Sequence, residues 1–180
     1  FQLCSMPMYA CLVLPFLREG KFRRALCTFT ASFGFMGGFV SYFSPESMCL
    51  PYWTLTIHSF SWHMILVFIG LYLFFSGRAG VRFRDFLPAA GIYLSLCLVA
   101  FGINALCYNC PGADVNMFYV GPKPSPLVIC RDIVARFGWA VNTVVYVSAL
   151  TLCAFAFYSA YLLLRKAVRK RAEKRIRKKA

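Results

Sequence analysis

The sequence predicts an all-α fold, a polytopic transmembrane helix bundle, from three observations. Of 180 residues, 60% are hydrophobic and only 14% are charged, well below the quarter charged that soluble domains carry. Five runs, at about 1–17, 25–43, 53–75, 86–106 and 139–164, contain no Asp, Glu, Lys or Arg. Each reaches or approaches the roughly 20 residues that cross a bilayer, where only a helix satisfies every amide within its own segment. Third, the net charge of +14 is unevenly spread, with ten of the twenty Lys and Arg between Arg165 and Lys179. These features exclude an ordinary soluble globule. A nucleic-acid partner is not expected either, because the basic run lacks aromatic interleaving or a folded reader.

Taken in order, the first run is short, carries Pro7 and Pro15, and opens on Phe1 without an initiator Met or the basic n-region of a signal peptide. It is read as a helix near a truncation, with further spans expected upstream. The second run holds Gly34-xxx-Gly38, a spacing that favours close helix approach; packing is the leading reading and a functional role the second. The third run carries both histidines. The fourth and fifth carry Asn104 and Asn142. No repeat or second domain is evident, so residues 1–164 read as one bundle, with an outer loop at 107–138, and 165–180 as a basic cytoplasmic tail.

Orientation follows from the Lys and Arg in the loops. The first loop, the third loop and the tail together hold 17, and the opposite side holds only Lys123, Arg131 and Arg136. The richer side is predicted to be cytoplasmic, in a multi-pass protein of the cell membrane. Tyr52, Trp53 and Trp139 then fall at outer interfaces, where amphipathic rings are favoured. The tail lies against the cytoplasmic leaflet, where anionic lipid can contribute on the order of 1 kcal/mol per basic residue. Membrane lipids are the expected partners, and the oligomeric state is left open.

The outer loop spans about 30 residues, beyond the usual connection length, and has four prolines between Pro111 and Pro126. An ordered re-entrant or lid-like segment is expected, with Met117, Phe118 and Tyr119 dipping toward the interface. Nine cysteines are present. Cys11, Cys27, Cys97 and Cys153 read as small apolar fillers. For Cys49, Cys107, Cys110 and Cys130, free thiols are the leading reading, a structural disulfide follows, and redox or metal chemistry at Cys107-x-x-Cys110 comes last. Neither a cofactor nor a metal is expected.

Polar side chains inside apolar spans are costly, so their placement is the best functional clue. Counted from Trp53 at about 1.5 Å per residue, His58 is roughly 7 Å and His63 roughly 15 Å deep. Ser59 and His63 share a helix face, whereas His58 and His63 are about 140° apart, so one histidine at most faces a given cavity. Asn104, Asn142, Cys4 and Ser5 lie toward the same outer half, and Asn116 and Tyr119 in the adjoining loop. The inner half offers mainly Thr28, Thr30 and Ser159. That asymmetry suggests an outward-facing polar cavity. The competing reading has each Asn and His hydrogen-bonded to a neighbouring helix.

Three blocks carry a resemblance: Phe1-Gln-Leu-Cys-Ser-Met-Pro-Met-Tyr9, Ile57-His-Ser-Phe-Ser-Trp-His63, and Asn104 followed by Asn116-Met-Phe-Tyr-Val-Gly-Pro-Lys-Pro124. Through these the chain resembles the YwaF-type family of bacterial multispan membrane proteins. More distantly it is similar to the eukaryotic transmembrane protein 164 family, whose likeness implies acyl transfer between phospholipids through a Cys nucleophile and an intramembrane His. His63 matches that His. The nucleophile position falls on Phe1, with Cys4 one helical turn later. Two function classes follow. One is a YwaF-type multispan protein with an outward polar cavity, either non-enzymatic or acting on membrane lipids, whose sharper version is an acyltransferase with Cys4 as acyl acceptor, His63 as base, and Asn104, Asn116 or Asn142 polarising the carbonyl. In this reading His58, Ser59 and Tyr119 join the three asparagines in binding substrate. The other is a small-molecule transporter component, which lacks both embedded acids for ion coupling and a clear repeat.

Overall fold

In a computed structural model, which describes residues 2–43, 45–110, 115–123 and 128–177, the chain is helical, and the described residues contain no strand. We number the helical rods α1 (Leu3–Phe16), α2 (residues 21–41), α3 (Trp53–Phe75), α4 (Phe83–Cys107) and α5 (Val128–Arg177). Among the described residues, α3, α4 and residues Cys130–Arg171 of α5 are long and apolar enough to cross a membrane. At 14 residues, α1 rises only about 21 Å. Its two prolines are tolerated because each starts a helical turn, Pro7 at the head of Met6–Val13 and Pro15 in Leu14–Phe16.

α2 is the hub of the bundle, packed against all four other rods. It is α-helical over Lys21–Phe29, widens to a π-helical turn over Thr30–Gly34, and resumes as Phe35–Ser41. Three buried hydroxyls in this stretch bond back one turn, Thr28 to Arg24 O (2.7 Å), Thr30 to Leu26 O (3.0 Å) and Ser32 to Thr28 O (2.7 Å). Such back-bonding satisfies a polar group in an apolar setting without a partner helix and competes with the helical ladder beside it. The inner-half Thr28 and Thr30 are therefore accounted for locally. Thr28 Oγ1 also accepts the Gly80 N–H (2.8 Å), tying the α3–α4 turn to α2.

The core surrounds α2. Phe33 stacks on Tyr93 (centroids 4.6 Å apart) and Phe86 (5.7 Å), while Ala31, Ala89 and Ala154 are fully buried where rods meet. Lipid tails are as apolar as Leu, so close packing through small residues holds such a bundle together. Many other large apolar side chains point outward. Phe16, Trp53, Phe75, Leu98 and Leu106 are all more than 70% exposed, the reverse of a water-soluble fold and consistent with a lipid surround.

α5 breaks at Gly138 (φ 85°, ψ 166°), a conformation open to glycine. Helix therefore begins at Val128, inside the stretch read from sequence as loop, and continues past Leu164 through the basic tail. α5 is held to the basic end of the bundle by Tyr158 Oη donating to Arg82 O (3.0 Å) and Tyr161 Oη donating to Phe74 O (2.7 Å).

Candidate functional site

The glycines of α2 set the geometry of the other end. A side chain at Gly34 would meet Pro7 Cγ at 2.9 Å, and one at Gly38 would meet His63 O and Leu66 Cβ at 2.8 Å. One turn of α2 thus receives α1 and the next receives α3, each at a distance only glycine permits. Pro7 lies three residues after Cys4, so this spacing brings the Cys4 turn level with the His63 turn. The indole Nε1–H of Trp62 completes the register by donating to the Cys4 carbonyl at 3.0 Å.

His63 is buried, 8% exposed, and its Nδ1 lies 2.7 Å from Ser59 O. A carbonyl oxygen only accepts, so the contact requires a proton on Nδ1, and the neutral ring keeps its lone pair on Nε2. This is the tautomer a general base needs. Ser59 thereby acts through its backbone, as the anchor of the imidazole. His58, on a different face of α3, is exposed. Among the described residues Cys4 Sγ and His63 share no hydrogen bond. The Cys4 thiol instead neighbours Ser5 and lies within electrostatic range of the Tyr119 and Tyr146 phenols.

Asn104, 3% exposed, is a clamp on the loop. Its Oδ1 accepts the Met117 N–H (2.8 Å), and its Nδ2 donates to Met117 O (2.9 Å) and to Val120 O. The clamp holds two successive residues, Phe118 (φ 53°) and Tyr119 (φ 54°), in the left-handed region, which costs an L-residue about 1–2 kcal/mol each. Phe118 and Val120 are buried, Gly121 N–H donates to Thr143 Oγ1 (3.3 Å), and Gln2 Nε2 donates to Asn116 O (3.3 Å). The described part of the loop is therefore folded back over the ends of α1, α4 and α5. Burial raises the Tyr119 phenol above its ordinary value, and the nearby Cys4 adds to the rise.

Asn142, also 3% exposed, differs from Asn104: its Oδ1 is buried and has no hydrogen-bond partner among the described residues. A buried unpaired acceptor costs about 1–3 kcal/mol and calls for an explanation. Asn142 and Tyr146 are spaced i, i+4 on one face of α5. Tyr146 packs against the buried cluster of Ala100, Phe118 and Val120 and comes within electrostatic range of Cys4, Cys97, Cys130 and Tyr119. The sequence reading did not select Tyr146, although the Asn142 spacing was the available signal. All nine cysteines are free thiols, and among the described residues no group of three or more His, Cys, Asp or Glu side chains converges as a metal site would require. The expected nucleophile position at Phe1, like residues 111–114 and 124–127 of the loop, lies outside the described residues.

No curated protein and no solved structure matches the chain. A family model does, that of the TMEM164 family, over residues 1–159. That span takes in all three sequence blocks, the Asn104 clamp and the Cys4 and His63 turns, and on it the chain belongs to the TMEM164 family.

Proposed function

We propose that the chain acts on membrane lipids, transferring acyl groups through Cys4 with His63 as base. The observation that carries the reading is the pairing of two turns: the Trp62 bond at Cys4 and the Ser59 bond at His63, which leaves Nε2 basic. In the first step the Cys4 sulfur attacks the ester carbonyl of a donor lipid while His63 Nε2 takes the thiol proton. The lyso-lipid alkoxide leaves with that proton, and an acyl thioester remains. An acceptor hydroxyl, deprotonated by His63, then attacks the thioester and releases Cys4 as the thiol. The donors of Asn104 are committed to the loop, so Asn142 is the asparagine best suited to the reacting carbonyl. Rotating its amide by 180° would present Nδ2. The 115–121 loop covers this region and serves as the lid a substrate must displace.

Within the family, the three sequence blocks favour a bacterial YwaF-type member in the cell membrane. Its basic tail is read as cytoplasmic and in contact with anionic lipid. Full-length protein in phospholipid vesicles, supplied with a labelled acyl donor, tests the chemistry. Cys4→Ala and His63→Ala should each abolish transfer, and Cys4→Ala should also remove a hydroxylamine-sensitive acyl label. Cys11→Ala should leave both intact. Unchanged turnover in the Cys4 variant would refute the mechanism.

A further inference from the structure

We propose a second binding site, for a phosphate-bearing molecule, at the basic end of the bundle. Leu14, the first turn of α2, the Gly77–Arg78 turn and the start of α4 enclose a cavity of about 790 Å³. It lies ten residues along α1 from Cys4, or roughly 15 Å, so it is separate from the acyl-transfer site and does not depend on that reading.

The charges around this cavity do not balance. Lys21, Arg23, Arg24 and Arg78 line it together with two acids, Glu19 and Asp85. Glu19 is taken by an ion pair with Arg23. The Asp85 carboxylate accepts the N–H groups of Val81 (2.9 Å) and Arg82 (3.1 Å), capping the start of α4. Among the described residues no carboxylate pairs with Lys21, Arg24 or Arg78. The first turn of α2 adds to the positive field, because it holds no acidic residue and Gly20 provides no side-chain cap. All three cations are exposed, and the Arg78 guanidinium also lies over the Tyr72 ring at 5.8 Å, so together they present a positive field that an anion would neutralise. The floor is apolar, formed by the buried Ala25, Cys27 and Leu73.

A phosphate answers this chemistry. Its oxygens accept paired bonds from the two guanidinium groups and a point charge from Lys21, and an apolar floor suits a ligand that also has a greasy part. A lipid phosphate is one source, since basic pockets between membrane helices favour anionic head groups. A soluble phosphoester is the other.

Native mass spectrometry of the full chain in neutral detergent, titrated with short-chain phosphatidic acid in one arm and glycerol phosphate in the other, tests the site. Saturable binding should weaken at least tenfold in the Arg24→Gln/Arg78→Gln double variant. It should be unchanged in Arg131→Gln/Arg136→Gln, which removes equal charge from exposed positions on α5 before Gly138. Binding of phosphatidic acid alone would identify a lipid site, and equal binding of glycerol phosphate would identify a site for soluble phosphoesters. Either supports the proposal if the double variant loses it. If both ligands bind the double variant as they bind the parent, or if neither binds the parent saturably, the proposal is overturned. Acyl transfer by the double variant, measured alongside, separates failure here from failure of the Cys4 mechanism.

Discussion

Removing the Asn104 side chain should release the loop while leaving the bundle assembled. Asn104 makes three hydrogen bonds to backbone groups of Met117 and Val120, each worth a net of about 1 kcal/mol. Asn104→Ala therefore costs the closed loop about 3 kcal/mol. Since 1.4 kcal/mol is a factor of about ten, the loop should open about a hundredfold more often. The left-handed residues Phe118 and Tyr119 add to the tendency, because their strain is relieved on opening. Hydrogen exchange read by mass spectrometry in nanodiscs measures this directly through the Met117 amide, which Asn104 Oδ1 accepts. Asn104→Asp is the sharper comparison. It keeps the acceptor for Met117 N–H but sets an oxygen against two carbonyls, so despite equal size it should protect the loop no better than Ala. Protection within residues 86–100 of α4 should not change. If Met117 exchanges at the parental rate in both variants, the clamp is not what holds the loop, and its strain must be compensated elsewhere.

Two neighbouring glycines should behave oppositely. Gly38→Ala places a methyl 2.8 Å from His63 O and Leu66 Cβ, so it should lower stability by about 1–3 kcal/mol. Gly37→Ala meets nothing within 4 Å and should be neutral or gain up to about 1 kcal/mol from helix propensity. Thermal unfolding in detergent reads both, and equal loss in the two would discount the close contact. Trp62→Phe deletes the donor to the Cys4 carbonyl at a cost of about 1 kcal/mol. Exchange at the amides of residues 3–8 should rise about fivefold with α3 unaffected, and no change would mean that packing alone sets the register of α1.

The legibility of the fold and of the site differed for physical reasons. A bilayer-length apolar run has one satisfactory backbone conformation, so four of the five rods could be placed from charge-free stretches alone. α5 was the exception. Its helix extends through Arg131, Asp132 and Arg136 before Gly138 and through the basic run after Leu164, where helix propensity rather than hydropathy sets the bounds. The histidines were separable by angle, since a helix turns 100° per residue and directs the two side chains to different faces. Asn104 and Asn142 were not separable. Both are amides near one end of a span, and which one is committed to a loop depends on where residues 116–121 return in space.

By itself the sequence determined that this is a helical membrane protein, that charge is concentrated at one end, and that its embedded His and Asn side chains lie toward the other. Those properties are local, because hydrophobicity and charge act on each segment separately. The partnerships were decided only by tertiary structure. Gly34 and Gly38 bring α1 and α3 level through steric contact, Asn104 closes on a loop, the Asn142 oxygen finds no partner among the described residues, and Lys21, Arg24 and Arg78 meet around one cavity. Each depends on distances between segments far apart in the chain, which periodicity and composition do not encode.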